Sequence, residues 1–127
     1  MRRVKAETVG CMRSLTREDR VLTGRFLFPE EYIGFQGHFP GQKVLPGVCQ
    51  IHCVLAVIEQ GEAVAVMLRE VLLAKYAAPV LPGEELVCTV QQVAEEAGAA
   101  VFKAQLTVQG KKVTEMKLRV AMPAGTV

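Results

Sequence analysis

At 127 residues, half of them hydrophobic, with a formal net charge of only +2, the chain is long enough to bury a core without disulfide or metal support and too apolar to be disordered. The near-balanced charge excludes a strongly cationic nucleic-acid surface. Four cysteines, Cys11, Cys49, Cys53 and Cys88, form no secreted disulfide framework, so reduced thiols in a cytoplasm are expected.

The start, Met1-Arg2-Arg3-Val4-Lys5-Ala6-Glu7, is charged and leads into no apolar run of signal-peptide length, so export is not expected. Residues 1–15 carry weak strand or short-helix signals. Val21-Leu22-Thr23-Gly24-Arg25-Phe26-Leu27-Phe28 alternates as a strand that Pro29 ends. After a loop from Glu30 to Val44, Pro46-Gly47 opens an apolar stretch with Gly61 as its stop, and a single helix is predicted at 47–60. The stretch is too short to span a bilayer and is interrupted by Gln50 and His52. Being apolar on nearly every face, that helix must be wrapped, and a curved sheet is the natural wrapper.

The second half supplies the sheet. Ala65 to Ala77, Glu85 to Glu95, Ala99 to Val108 and Lys112 to Ala121 are β-rich, separated by turn chemistry at Pro79 to Gly83, Ala97-Gly98 and Gln109-Gly110-Lys111. An antiparallel meander is expected. In its last strand Val113, Met116, Leu118, Val120 and Met122 should face the core, with Lys112, Thr114, Lys117 and Arg119 between them. With no repeat and no linker, residues 1–127 read as one α+β domain.

Chemistry concentrates in Gly37-His38-Phe39-Pro40-Gly41 and Val44-Leu45-Pro46-Gly47-Val48. A titratable ring in a turn precedes a helix start, whose first N–H groups have no intrahelical partner. That pairing suits reaction beside a carbonyl.

These two runs resemble the signature of the 3-hydroxyacyl-acyl carrier protein dehydratases of bacterial fatty-acid synthesis. Lys75-Tyr76-Ala77-Ala78-Pro79-Val80-Leu81-Pro82-Gly83-Glu84-Glu85-Leu86 is similar to that family's strand and turn ending in Pro-Val-x-Pro-Gly-acid-x-Leu, and Gly110-Lys111-Lys112-Val113-Thr114-Glu115 to its penultimate turn and last strand. The resemblance runs over about 20–122. It implies a hot-dog fold, a homodimer, and syn elimination of water from a 3-hydroxyacyl thioester without metal or organic cofactor.

Carried over by position, the resemblance makes His38 the base that removes the α proton, its ring oriented by a backbone carbonyl near Val44, and the Gly47 N–H the group that receives the thioester oxygen. A helix-start amide suits that oxygen because negative charge develops there as the C–H bond breaks. Phe39, Pro40, Val48 and Tyr76 are the candidate substrate-binding residues; Phe39 and Tyr76 serve either an acyl channel or sheet and dimer packing. The implied partners are an acyl carrier protein or coenzyme A thioester and a second copy, with no nucleic acid and no membrane.

Three positions depart from the family pattern. Fourteen residues after its histidine the family carries Glu or Asp, supplied from the neighbouring subunit to protonate the departing hydroxyl; here stands His52. Position 43 is lysine where proline is usual, and Ala56 replaces a glutamine. His52 is either the catalytic substitute or a satisfied core histidine. Near the positive end of a helix in apolar surroundings it should rest neutral. Glu59 is a substitute acid on nearly the same face, better suited to the helix end. A metal cluster of Cys49, His52, Cys53 and His38 is disfavoured, because soft zinc sites use turns to converge their ligands. Lys43, Lys75, Lys103 and Arg119 are ordinary surface unless they dock an acidic carrier. The rival readings are a hot-dog thioesterase and a non-catalytic acyl-binding or assembly subunit.

Overall fold

In the computed structural model residues 2–35 and 43–122 are described. The elements are α1 (Arg2–Gly10), β1 (Met12–Glu18), β2 (Val21–Leu27), a 3-10 turn (Ile33–Phe35), α2 (Gly47–Glu62), β3 (Met67–Tyr76), β4 (Glu85–Glu96), β5 (Ala99–Val108) and β6 (Lys111–Ala121). Alternation made β2 and the second-half strands legible, and each forms within about two residues of its expected bounds.

The strands make one six-stranded antiparallel sheet in the order β1-β2-β4-β5-β6-β3, with α2 lying against β1, β2 and β4. This α+β arrangement is the hot-dog architecture. It corrects the simple meander: β4, β5 and β6 follow one another, but β3 crosses to the far edge beside β6, and β2 takes the place next to β4. The Gln109-Gly110 turn works as expected, since both residues have positive φ, 51° and 79°, as a two-residue hairpin turn between Val108 and Lys111 demands.

Curvature comes from extra residues inserted in the ladders. The register slips at Arg13 on β1, Arg69 and Leu72 on β3, Val93 on β4 and Val113 on β6. Each such bulge bends its strand and raises the local twist, letting the sheet fold around α2. The slip at Val113 also corrects the expected pattern of β6. Thr114 points inward, fully buried beside buried Val113, because an inserted residue resets the alternation.

The core between sheet and helix contains Phe26, Phe28, Leu86, Leu106, Met116 and Leu118 from the strands, and Val54, Val57 and Ile58 from α2. Two further corrections concern helices. There is a second one, α1, packed on α2, where the early residues had been ambiguous. Gly61 is not the stop: α2 runs to Glu62, and Ala63 in the left-handed region (φ 57°) closes it by donating its N–H to the Glu59 carbonyl. Gly61 is needed for closeness, since a Cβ there would lie 2.6 Å from Leu22 Cδ1. No helix among the described residues is long and apolar enough to cross a membrane.

Candidate active site at the start of the central helix

Helix α2 begins without a side-chain cap. Pro46 is its N-cap, extended at φ −64° and ψ 153°, and offers no hydroxyl or carboxylate to the first turn. The Pro46 carbonyl accepts from the Cys49 N–H (3.0 Å) and the Gln50 N–H (3.2 Å). The Gly47 and Val48 N–H groups have no acceptor among the described residues. Two amides without an acceptor among the described residues, at the positive end of a 16-residue helix, form a place for a developing oxyanion.

The surroundings of these amides gather three of the expected residues. Val48 and Tyr76 are each about half exposed, and the Tyr76 ring, reaching over from the end of β3, covers Gly47 so closely that a Cβ on the glycine would lie 2.7 Å from Cζ. Burial raises the pKa of the Tyr76 phenol, which stays protonated. His38, Phe39 and Pro40 lie outside the described residues. Both described ends of the segment that carries them are anchored near the first turn of α2. On one side Phe35 is buried edge-on against Tyr32 at 5.6 Å, and a Cβ on Gly34 would lie 2.7 Å from Cys49 Sγ. On the other, buried Leu45 donates its N–H to the Val80 carbonyl at 2.8 Å.

His52 does not converge with Gly47 inside one subunit. Five residues separate them, roughly 140° around the helix and about 7.5 Å along it. Its face is shared by Val48, Leu55 and Glu59 at helical spacing. The imidazole is partly buried, and its pKa is lowered first by burial and then by the nearby Lys5 ammonium of α1, so the ring rests neutral. The apolar surroundings are legible in the sequence; the cation is not, because the weak strand or short-helix signals of residues 1–15 do not say that Lys5 packs beside α2.

Several other candidates are taken up by structure. Glu59 accepts the Val66 N–H at 2.7 Å and pairs with Lys5 at 3.4 Å, tying the helix end to the chain beyond it and to α1. Cys49 and Cys53 are buried, and their thiols are pushed up in pKa chiefly by that burial, as is Cys88. Among the described residues no group of three or more His, Cys, Asp or Glu is placed to hold a metal. Arg119 is committed to Glu70 and Glu96. Lys75 and Lys103 are exposed, and Lys43 lines a groove of about 840 Å³ with Glu30, Val44, Pro79, Leu81 and Pro82.

Two polar residues with no earlier role stand behind the helix start. The Gln50 amide, buried, donates to the Leu45 carbonyl at 3.3 Å and accepts the hydroxyl of Thr114 on β6. In the sequence Gln50 was visible only as an interruption of an apolar run.

Residues 14–117 match the family model of the ApeI-like proteins, described as ApeI dehydratase. Among curated proteins, the 3-hydroxyacyl-[acyl-carrier-protein] dehydratase FabZ of Ehrlichia chaffeensis is 32% identical over 66% of this chain and 62% of its own length. FabZ of Proteus mirabilis is 33% identical over 81% of this chain and 80% of its own length. The match therefore spans less than two thirds of the Ehrlichia protein and four fifths of the Proteus one. Among solved structures, the dehydratase heterocomplex ApeI:P from Xenorhabdus doucetiae superposes with a TM-score of 0.71 at 21% identity, covering 87% of this chain and 96% of that one. That likeness shows a shared fold.

Proposed function

Because the chain belongs to the ApeI-like dehydratase family, we propose that it eliminates water from a 3-hydroxyacyl thioester, carried on acyl carrier protein or coenzyme A, to give the trans-2-enoyl thioester. The observation that carries this reading is the uncapped start of α2, where two open amides lie beside half-exposed Tyr76 and Val48 and next to the ends of the segment bearing His38. His38 takes the proton α to the carbonyl, and the electron pair released forms the double bond as the C–OH bond breaks. The Gly47 N–H stabilises charge on the thioester oxygen as this happens. The hydroxyl departs as water, and the proton count closes because His38 returns the proton it accepted. His52, resting neutral, holds the hydroxyl by hydrogen bonding from the second subunit.

The second copy has a surface to bind. Strand β3 is an outer strand of the sheet, and Met67, Val71, Leu72 and Tyr76 on it are exposed by 37–65%. An edge that is both open and greasy favours pairing with its own kind. We assign the homodimer to this edge, in a cytoplasmic protein, with Lys43 and Lys75 available to an acidic carrier.

Turnover decides the reading. Purified protein incubated with 3-hydroxyacyl thioesters of graded chain length is expected to generate enoyl absorbance, and His38→Ala to lower the rate by roughly 10²–10⁴, the range for loss of a general base. No enoyl product at any chain length, or full activity in the alanine variant, refutes it; release of free thiol instead identifies a thioesterase. A second reading rests on His52 in place of a carboxylic acid, together with the heterocomplex in which the Xenorhabdus doucetiae relative was found. There this chain is the assembly partner of a carboxylate-bearing homologue, and enoyl product forms only when the two are mixed.

A further inference from the structure

We infer that Gln50 is a positioning residue for the Gly47 amide: braced by Thr114 on β6, it holds the Leu45 carbonyl and so sets the direction in which the Gly47 N–H points. This deepens the dehydratase reading and rests on it. The turn from Leu45 to Gly47 has few handles. Pro46 has no N–H, the Leu45 N–H is spent on Val80, and the Leu45 carbonyl, in a buried residue, finds the Gln50 amide as its partner.

That carbonyl is well chosen as a handle. The pyrrolidine ring locks φ of Pro46, found at −64°, so only ψ of Pro46 separates the Leu45–Pro46 peptide plane from the plane that carries the Gly47 N–H. The second plane is held in turn by the Cys49 and Gln50 amides on the Pro46 carbonyl. Fixing the Leu45 oxygen therefore fixes the amide one plane later. Gln50 thus contributes twice, with its backbone N–H on Pro46 and its side chain on Leu45.

Packing alone does not call for an amide there: its neighbours on the inner face of α2 are Cys49, Cys53 and Val54, all buried. What the amide supplies is a partner for the Leu45 carbonyl and the Thr114 hydroxyl, both of which an apolar side chain would strand. Thr114 likewise turns inward only because the ladder slips at Val113. Both features converge on the helix start.

The experiment compares wild type with Gln50→Met, Thr114→Val and Thr114→Ser. Two readouts are taken beside the melting temperature: kcat and KM with a 3-hydroxyacyl-N-acetylcysteamine, and the infrared carbonyl band of bound hexanoyl-N-acetylcysteamine carrying ¹³C at the carbonyl. A thioester oxygen gripped by the amide shows its band at lower wavenumber. Gln50→Met is expected to lose at least half of that displacement and 10- to 100-fold in kcat, with KM within about threefold, as a misaligned group near the chemistry does. Thr114→Val follows in the same direction and Thr114→Ser restores the wild-type band. Gln50→Met with wild-type band and kcat overturns the inference, as does a loss that merely tracks melting temperature and KM. If wild type shifts the band without turning over substrate, the loss of that shift in Gln50→Met upholds the positioning role while the dehydratase reading fails. No shift in a wild type that turns over substrate overturns the positioning role alone; no shift together with no turnover overturns both.

Discussion

Replacing Gly47 by alanine should cripple the site while sparing the fold. The added methyl would lie 2.7 Å from Tyr76 Cζ, 2.8 Å from its hydroxyl and 3.1 Å from Cε1, where carbon atoms at rest stay about 3.5–4.0 Å apart. One partner must retreat by roughly 1 Å. The helix backbone is held by the Leu45 and Pro46 bonds, whereas the Tyr76 ring is the far end of a half-exposed side chain on an outer strand, so the ring moves. Little stability is at stake: no buried packing is lost, and alanine is at least as good a helix residue as glycine, by about 0.5–1 kcal/mol in a helix interior. The consequence falls on catalysis, where a 1 Å misplacement costs on the order of 10²-fold. With only two tyrosines and no tryptophan in the chain, 3-fluorotyrosine labelling gives two signals, assigned by Tyr76→Phe. The expectation is a displaced Tyr76 signal, an unmoved Tyr32 signal, a melting temperature within a few degrees of wild type, and about 100-fold lower kcat/KM. Tyr76→Ala should be non-additive with Gly47→Ala, since its removal clears the clash. A Gly47→Ala protein with normal turnover and an unmoved Tyr76 signal would refute the close contact and the role built on it.

Acid should find His52. Its pKa lies below the ordinary 6.5 in the folded chain because of burial and Lys5, so the contribution to stability is intact above the unfolded value and is lost as pH falls from there towards the folded one. His52→Gln should flatten the melting temperature between pH 7 and pH 5 relative to wild type, and Lys5→Met should raise the His52 titration midpoint seen by NMR; equal acid sensitivity in all three proteins contradicts the assignment. The Tyr32 hydroxyl donates to the Thr8 hydroxyl at 2.7 Å, because Thr8 gives its own proton to the Val4 carbonyl at 2.6 Å. Tyr32→Phe should therefore cost about 0.5–1.5 kcal/mol in denaturant unfolding and Thr8→Val more, because the latter strands the buried phenol. Gly24 faces α2 so closely that a Cβ would lie 2.6 Å from Cγ2 of fully buried Val57. Gly24→Ala should cost about 1–3 kcal/mol by overpacking, part of it recovered by Val57→Ala; a neutral Gly24→Ala would show that the helix does not press on β2 there.

Local chemistry was legible in the sequence and long-range arrangement was not. Alternation exposes which residues of a strand face inward, so β2, β4, β5 and β6 could be read, and Gln109-Gly110 announced its hairpin. Nothing local says which strand lies beside which, and the placing of β3 beyond β6 became clear only in three dimensions. Thr114 was misread because one inserted residue shifts the alternation, and Gly61 because a glycine required for contact with Leu22 looks the same as one that ends a helix. At the site, Pro46-Gly47 revealed the helix start and its free amides. The meaning of Gln50 depends on Thr114, 64 residues away, and on a carbonyl, which has no signature in sequence.

The two borders of the sheet are unlike each other. Along β1 the outward residues are Arg13, Ser14, Thr16, Arg17 and Glu18, whereas β3 exposes Met67, Val71, Leu72 and Tyr76 among Arg69, Glu70 and Lys75. A ribbon with adhesive along both margins would recruit copy after copy into a filament. With one margin adhesive and the other charged and hydrated, the homodimer proposed above would close recruitment after a single encounter, and the same asymmetry would keep a chain this rich in β-structure from polymerising.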